Sequence, residues 1–120
     1  MNPDIPKTIA DFFTFFNSRD LDRLRGLLAE NAQFHFPKTQ PLLSPDRILK
    51  FLHVLFRQYP ELVFTVHRTI VQDDRAAVHW TNRGKNRRGE PYENEGMTLL
   101  EFEAGKIAFI SDFFKDTEKF

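Results

Sequence analysis

Cysteine is absent from the 120 residues, which excludes disulfides, thiolate nucleophiles and Cys-containing metal sites and leaves the redox compartment open. Neither sign of charge predominates, since 17 basic residues stand against 17 acidic ones. A formally neutral chain has no overall field to draw it to nucleic acid, an anionic membrane or an acidic substrate. Long apolar runs are missing as well: none approaches the ~20 residues needed to cross a bilayer. The stretch MNPDIPKTIADFF lacks a basic segment followed by an apolar one and a small-residue cleavage site. These absences point to a soluble protein with no membrane partner, and cytoplasmic is the default location. Gly-rich phosphate loops and a Rossmann fingerprint are also missing, so no cofactor is expected.

What the chain has in excess is phenylalanine, 14 residues against two Tyr and one Trp. Phe supplies large apolar area with no polar tip to satisfy, so the core, or a cavity wall, is built from aromatic rings. The length suits one domain, 1–120, able to bury roughly two-thirds of the surface its unfolded chain exposes.

Asp4 is placed to cap a first helix with Pro6 in its first turn, and Ile5, Ile9, Phe12, Phe13 and Phe16 recur at helical spacing. Asp20 begins a second helix whose buried side is Leu21, Leu24, Leu27 and Leu28. AQFHFP alternates as a brief strand ended by Pro37. A third helix starts at Ser44 and Pro45 and stops before Pro60. From Leu62 the period becomes two: LVFTVHRTIV, AAVHWTNR, YENEGMTLLEF and KIAFISDFF read as four strands joined by QDDR, KNRRGEP and EAG. Connections this short require antiparallel neighbours. Helices first and sheet second predict an α+β domain with helices on one face of an antiparallel sheet.

This order of elements resembles the nuclear transport factor 2 like superfamily, and most closely its SnoaL-like branch. The resemblance rests on NSRDLDRLRGLLAENAQFHFP, PDRILKFLHVLF, AVHW and FEAGKIAFISDFFKD, which together span nearly the whole chain. It implies a cone-shaped roll: three N-terminal helices packed on a strongly curved antiparallel sheet around an apolar pocket, with homodimers forming through the outer sheet face. It leaves the reaction open, because relatives include polyketide cyclases, ketosteroid isomerases, epoxide hydrolases, dehydratases and proteins without catalysis. Where the isomerases carry an oxyanion Tyr and a general-base Asp, this chain has Phe12 and Phe36. Where SnoaL-like cyclases carry a strand His and a later acid, it has Thr98 and Asp112. The epoxide hydrolase Asp-Arg-Asp set retains Asp112 alone, its other two positions falling near His79 and Thr81.

Asp112 is therefore the candidate catalytic acid/base. Taking EAG as a three-residue turn, Phe102 pairs with Lys106 and Gly96 with Asp112, which turns the carboxylate to the core face beside Leu100 and Ile110. His79 is the candidate second party. A two-residue loop at Arg87 and Arg88 turns it inward, roughly 10 Å from Asp112, whereas a three-residue loop ending at Gly89 turns Val78 and Trp80 inward instead. The apolar character of Val78 and Trp80 favours the second register and the resemblance favours the first, with His79 inward, which is the expectation taken here. Desolvation in an aromatic cavity would raise the acid's pKa toward neutrality and fit it for proton transfer on a small apolar carbonyl, enol or epoxide. The competing reading is an acid that ion-pairs at a strand end, in a module that binds a ligand or a protein without catalysis.

The expected ligand-binding set is Phe12, Phe16, Phe36, Leu55, Phe64, Trp80, Thr98, Leu100 and Ile110, enclosing roughly a few hundred Å³. His53 falls on a solvated helix face and His35 points away from the core. His67 belongs to a half-polar stripe suited to a dimer contact. No HxxxH or His-carboxylate spacing occurs, so no metal is expected. The basic cluster RGKNRRGE reads as a solvated loop, because exposed aromatics do not interleave it as a base-stacking surface requires.

Overall fold

The computed structural model describes residues 4–119. Helix α1, Ile5–Ser18, starts where the Asp4 carboxylate accepts from Lys7 N at 3.0 Å. It ends where Arg19 turns left-handed (φ 65°), and it buries Ile5, Ile9, Phe12, Phe13 and Phe16, the stripe its spacing predicts. Helix α2, Leu21–Arg25, is a single turn and a half. The chain leaves it at Gly26, so Leu27 and Leu28 are not helical, contrary to expectation. Instead β1, Leu28–His35, begins there, ahead of the alternating stretch that starts at Ala32. The cause is tertiary: Ile107 N donates to Leu27 O at 2.8 Å, the first rung of a parallel pairing with the last strand. Helix α3, Pro45–Gln58, is capped by Ser44, whose hydroxyl accepts from Arg47 N.

Strands β2 (Val63–Gln72), β3 (Arg75–Lys85), β4 (Pro91–Glu103) and β5 (Lys106–Phe114) follow as the predicted meander. The sheet order is β1-β5-β4-β3-β2, open, with antiparallel neighbours except for the parallel β1–β5 pair. The architecture is thus α+β, a mixed five-stranded sheet carrying its helices on one face. Among the described residues, no helix is long and apolar enough to cross a membrane.

Two hairpins set which side chains reach the core. The last turns on two residues, Ala104 and Gly105, both left-handed (φ 49° and 80°), so Glu103 pairs with Lys106. An irregularity between Glu101 and Phe102 then restores the inward face, and Asp112 lies opposite Thr98 rather than Gly96. In the β3–β4 hairpin the loop is Arg87, Arg88 and Gly89, with Gly89 at φ 79° and Asn86 N donating to Glu90 O. This is the three-residue register. His79 pairs with Met97 and faces outward, and Val78, Trp80 and Asn82 are buried on the core face. The expectation that His79 faces inward is corrected accordingly: an odd loop length inverts the alternation.

Asn17 fastens α1 to the start of β2, giving Nδ2–H to Phe64 O and accepting from Phe64 N, both at 2.9 Å. Arg19 reaches the α3–β2 connection, donating to Pro60 O at 3.0 Å with its guanidinium 4.2 Å from the Phe56 ring centroid. Together they fix the helical layer over the β2 edge, where Phe64 enters the core.

Candidate functional site

On the concave face, three side chains from three adjacent strands form a line. The Trp80 indole Nε1–H donates to Thr98 Oγ1 at 2.8 Å, and that hydroxyl spends its one proton on Asp112 Oδ1 at 2.6 Å. Trp80 is fully buried and Thr98 nearly so. The indole therefore fixes the hydroxyl rotor, and the hydroxyl fixes the carboxyl. Burial pushes the Asp112 carboxyl from its ordinary 3.8 up to about 7, against the opposing effect of the Thr98 hydrogen bond. Asp112 as a whole residue is only half-buried; its backbone lies at the strand end while its carboxyl turns into the protein.

Asp112 lines an interior cavity of about 20 Å³, walled by Phe16, Phe34, Phe36, Leu52, Leu55, Tyr59, Leu62, Phe64, Asn82, Tyr92 and Phe114. That space suffices for a single water molecule. The expected volume of a few hundred Å³ is not found: the aromatic rings that were to surround a hollow fill it, in edge-to-face contacts such as Phe16–Phe64 and Phe36–Phe114 at 4.9 and 5.3 Å. Of the anticipated ligand set, Phe16, Phe36, Leu55 and Phe64 reach the cavity. Phe12, Trp80, Thr98, Leu100 and Ile110 do not. They are buried in the hydrophobic core instead.

Gly96 is also corrected. It leaves no room beside Asp112, because a Cβ there would meet the Phe113 carbonyl oxygen and stand 2.7 Å from the Trp80 ring. The missing side chain is what lets the indole lie across β4.

Three polar wall residues escaped the sequence reading. Asn82 follows Trp80 by two positions, and the three-residue loop would have placed it inward. Tyr59 and Tyr92 meet in a tilted contact with ring centroids 5.0 Å apart. They wall both the cavity and an open surface groove that also includes Glu61, Arg83, Lys85 and Glu90, so the pair stands between the interior and solvent. Burial pushes the Tyr92 phenol up to about 12.

On the opposite face His79 Nε2 meets Glu95 Oε2 at 2.6 Å, and its ring lies 5.4 Å from that of His67. The His79 hydrogen bond, then Lys115, holds the Glu95 carboxyl below its usual range. His79 and Asp112 are thus separated by the thickness of the sheet. His53 is exposed, as expected, and His35 is half-buried with its ring 5.0 Å from that of Phe109. Among the described residues no cluster of three metal-ligating side chains occurs.

A model of the SnoaL-like domain family matches residues 9–110. The chain belongs to the SnoaL-like domain family. Solved structures agree on the fold. A nuclear transport factor 2-like protein of unknown function from Burkholderia pseudomallei K96243 superposes with a TM-score of 0.87 at 20% identity, over 93% of this chain and 90% of that one. A SnoaL-like, polyketide cyclase-type protein from Jannaschia sp. CCS1 gives 0.83 at 19% identity, over 91% and 83%. The polyketide cyclase-type protein IdmH from Streptomyces antibioticus gives 0.83 at 23% identity, over 95% and 94%. No curated protein matches this sequence.

Proposed function

We propose that this SnoaL-like protein is an acid/base enzyme of the isomerase, cyclase, dehydratase or epoxide hydrolase type, acting on a small apolar substrate, with Asp112 as the proton-transfer group. The single observation that carries this reading is a carboxyl poised near pH 7 in an aromatic cavity and oriented by the Trp80–Thr98 chain. A group titrating near the working pH is present in both protonation states and exchanges protons with little driving force lost. Thr98 occupies Oδ1, so Oδ2 is left to face a substrate. His79 takes no part, since it lies across the sheet. Admission of a substrate requires the Tyr59–Tyr92 pair to part and the Phe wall to give way, because the resting cavity has room for no more than a single water.

The test is deuterium exchange next to the carbonyl of cyclic ketones in heavy water, followed by NMR. The wild-type protein accelerates exchange, and Asp112→Asn loses at least about 100-fold of the acceleration. Equal rates in both proteins, or no acceleration by either, remove the acid/base proposal.

A second reading, a non-catalytic ligand-binding or association module, is favoured by the near-filled cavity. It predicts saturable binding, or self-association alone, with no exchange. In either case we place a homodimer contact on the outer sheet face, where Ile70, Met97 and Phe113 are exposed at 66%, 37% and 59%.

A further inference from the structure

Asn82 is 3% exposed and its two amide atoms, Nδ2 and Oδ1, are both buried without a hydrogen-bond partner. Its cross-strand neighbour Asn94 is the opposite case. Asn94 Nδ2–H donates to Asp116 O at 2.8 Å, and Asn94 Oδ1 accepts from Glu95 N and Asp116 N. The Tyr92 phenol comes close enough to the Asn82 amide for that amide to lower its pKa against the effect of burial, but the two do not meet in the geometry of a hydrogen bond. A buried donor and a buried acceptor left idle side by side are uncommon, and each costs the desolvation of that atom unless a water or ligand meets it. Asn82 lines the same cavity as Asp112.

Resting on the pocket reading above, we infer that Asn82 is the specificity-determining residue of the cavity. Its carboxamide pairs with the oxygen of an uncharged, ring-bearing ligand and discriminates against oxygen-free and anionic molecules of the same shape. The lining residues contain no Lys, Arg or His, so nothing there compensates an anionic ligand, and the nearby carboxyl repels one. An amide offers both a donor and an acceptor, which matches a carbonyl, a hydroxyl or an enol. The aromatic walls take the ring, and one water fills the place of the oxygen when no ligand is bound.

The experiment compares acetophenone, ethylbenzene and benzoate as probes, by saturation-transfer NMR titration of the wild-type protein, Asn82→Leu and Asn82→Val. The ketone binds the wild type about tenfold more tightly than the hydrocarbon, and benzoate does not bind at pH 8. Both variants bring the ketone down to the level of ethylbenzene. Equal affinity of ketone and hydrocarbon for the wild type overturns the inference while the pocket reading survives. So does undiminished ketone binding by the folded variants. Absence of binding by all three probes removes the pocket reading, and this inference with it. Folding of each variant is checked by the emission of Trp80, the sole tryptophan, whose ring lies 4.7 Å from Phe64 in the cavity wall. Should neither variant fold, the wild-type preference for the ketone decides alone.

Discussion

Replacing Asp112 by Asn keeps the side chain's shape and an oxygen for Thr98 to donate to, and removes only the charge. In the native protein the carboxyl titrates near 7 instead of 3.8, a separation of about 3 pH units, which corresponds to about 4 kcal/mol when the native group is ionised and the unfolded one is too. The sign follows from proton uptake. Between pH 3.8 and 7 the folded protein holds a proton that the unfolded chain has released, so stability falls as pH rises through this window and the full cost stands above pH 7. Against a total of about 5–15 kcal/mol for a domain that is a large share. Urea unfolding of wild type and Asp112→Asn, followed through Trp80 emission from pH 4.5 to 8.5, isolates the effect, because every other carboxylate titrates alike in both proteins. The variant is close to wild type at the acid end and gains with pH, reaching about 2–4 kcal/mol above pH 7 and then levelling. A difference that stays flat across the range means a solvated carboxylate, and both the burial argument and the acid/base role drawn from it fall.

Three further predictions follow from the same contacts. Thr98→Val removes the hydrogen bond that lowers the Asp112 pKa, so the carboxyl's titration by carbon-13 NMR moves further upward. The same change leaves the Trp80 Nε1–H buried without an acceptor and costs about 1–3 kcal/mol in urea unfolding. An unshifted titration would show that Thr98 does not hold the acid. Gly96→Ala drives a methyl group into the Trp80 ring and lowers stability by about 3 kcal/mol or more, with a shifted Trp80 emission in the folded fraction. A silent substitution would mean that the indole is not seated on β4. Phe113→Glu on the outer face yields monomers by light scattering with the ketone exchange rate unchanged, and a persisting dimer would place the contact elsewhere.

The helix stripes, the capping residues and the four-strand meander could all be read from the chain, because each depends on neighbours a few positions away. Asp4, Asp20 and Ser44 cap the helices they were expected to cap. The same local reasoning put Leu27 and Leu28 into α2, where a distant partner, β5, draws them into β1. Hairpin geometry was the harder case, since one residue more or less in a loop turns a whole strand over. EAG and RRG both offer a Gly for a left-handed position, yet one closes a two-residue turn and the other a three-residue loop. That difference moved His79 out of the site and brought in Asn82, whose importance shows only in what fails to meet its amide.

The sequence by itself determined the element order, the aromatic core and the presence of an acid six residues past the Lys106 hairpin, all properties of spacing and residue type. Only the tertiary structure decided that Thr98 stands opposite that acid, that a tryptophan stands behind Thr98, and that the Phe rings close the hollow down to the size of a water molecule. Those outcomes depend on strand register and on how rings fit against one another across elements distant in the chain. Periodicity constrains neither, because a one-residue slip or a rotated ring leaves every local pattern intact.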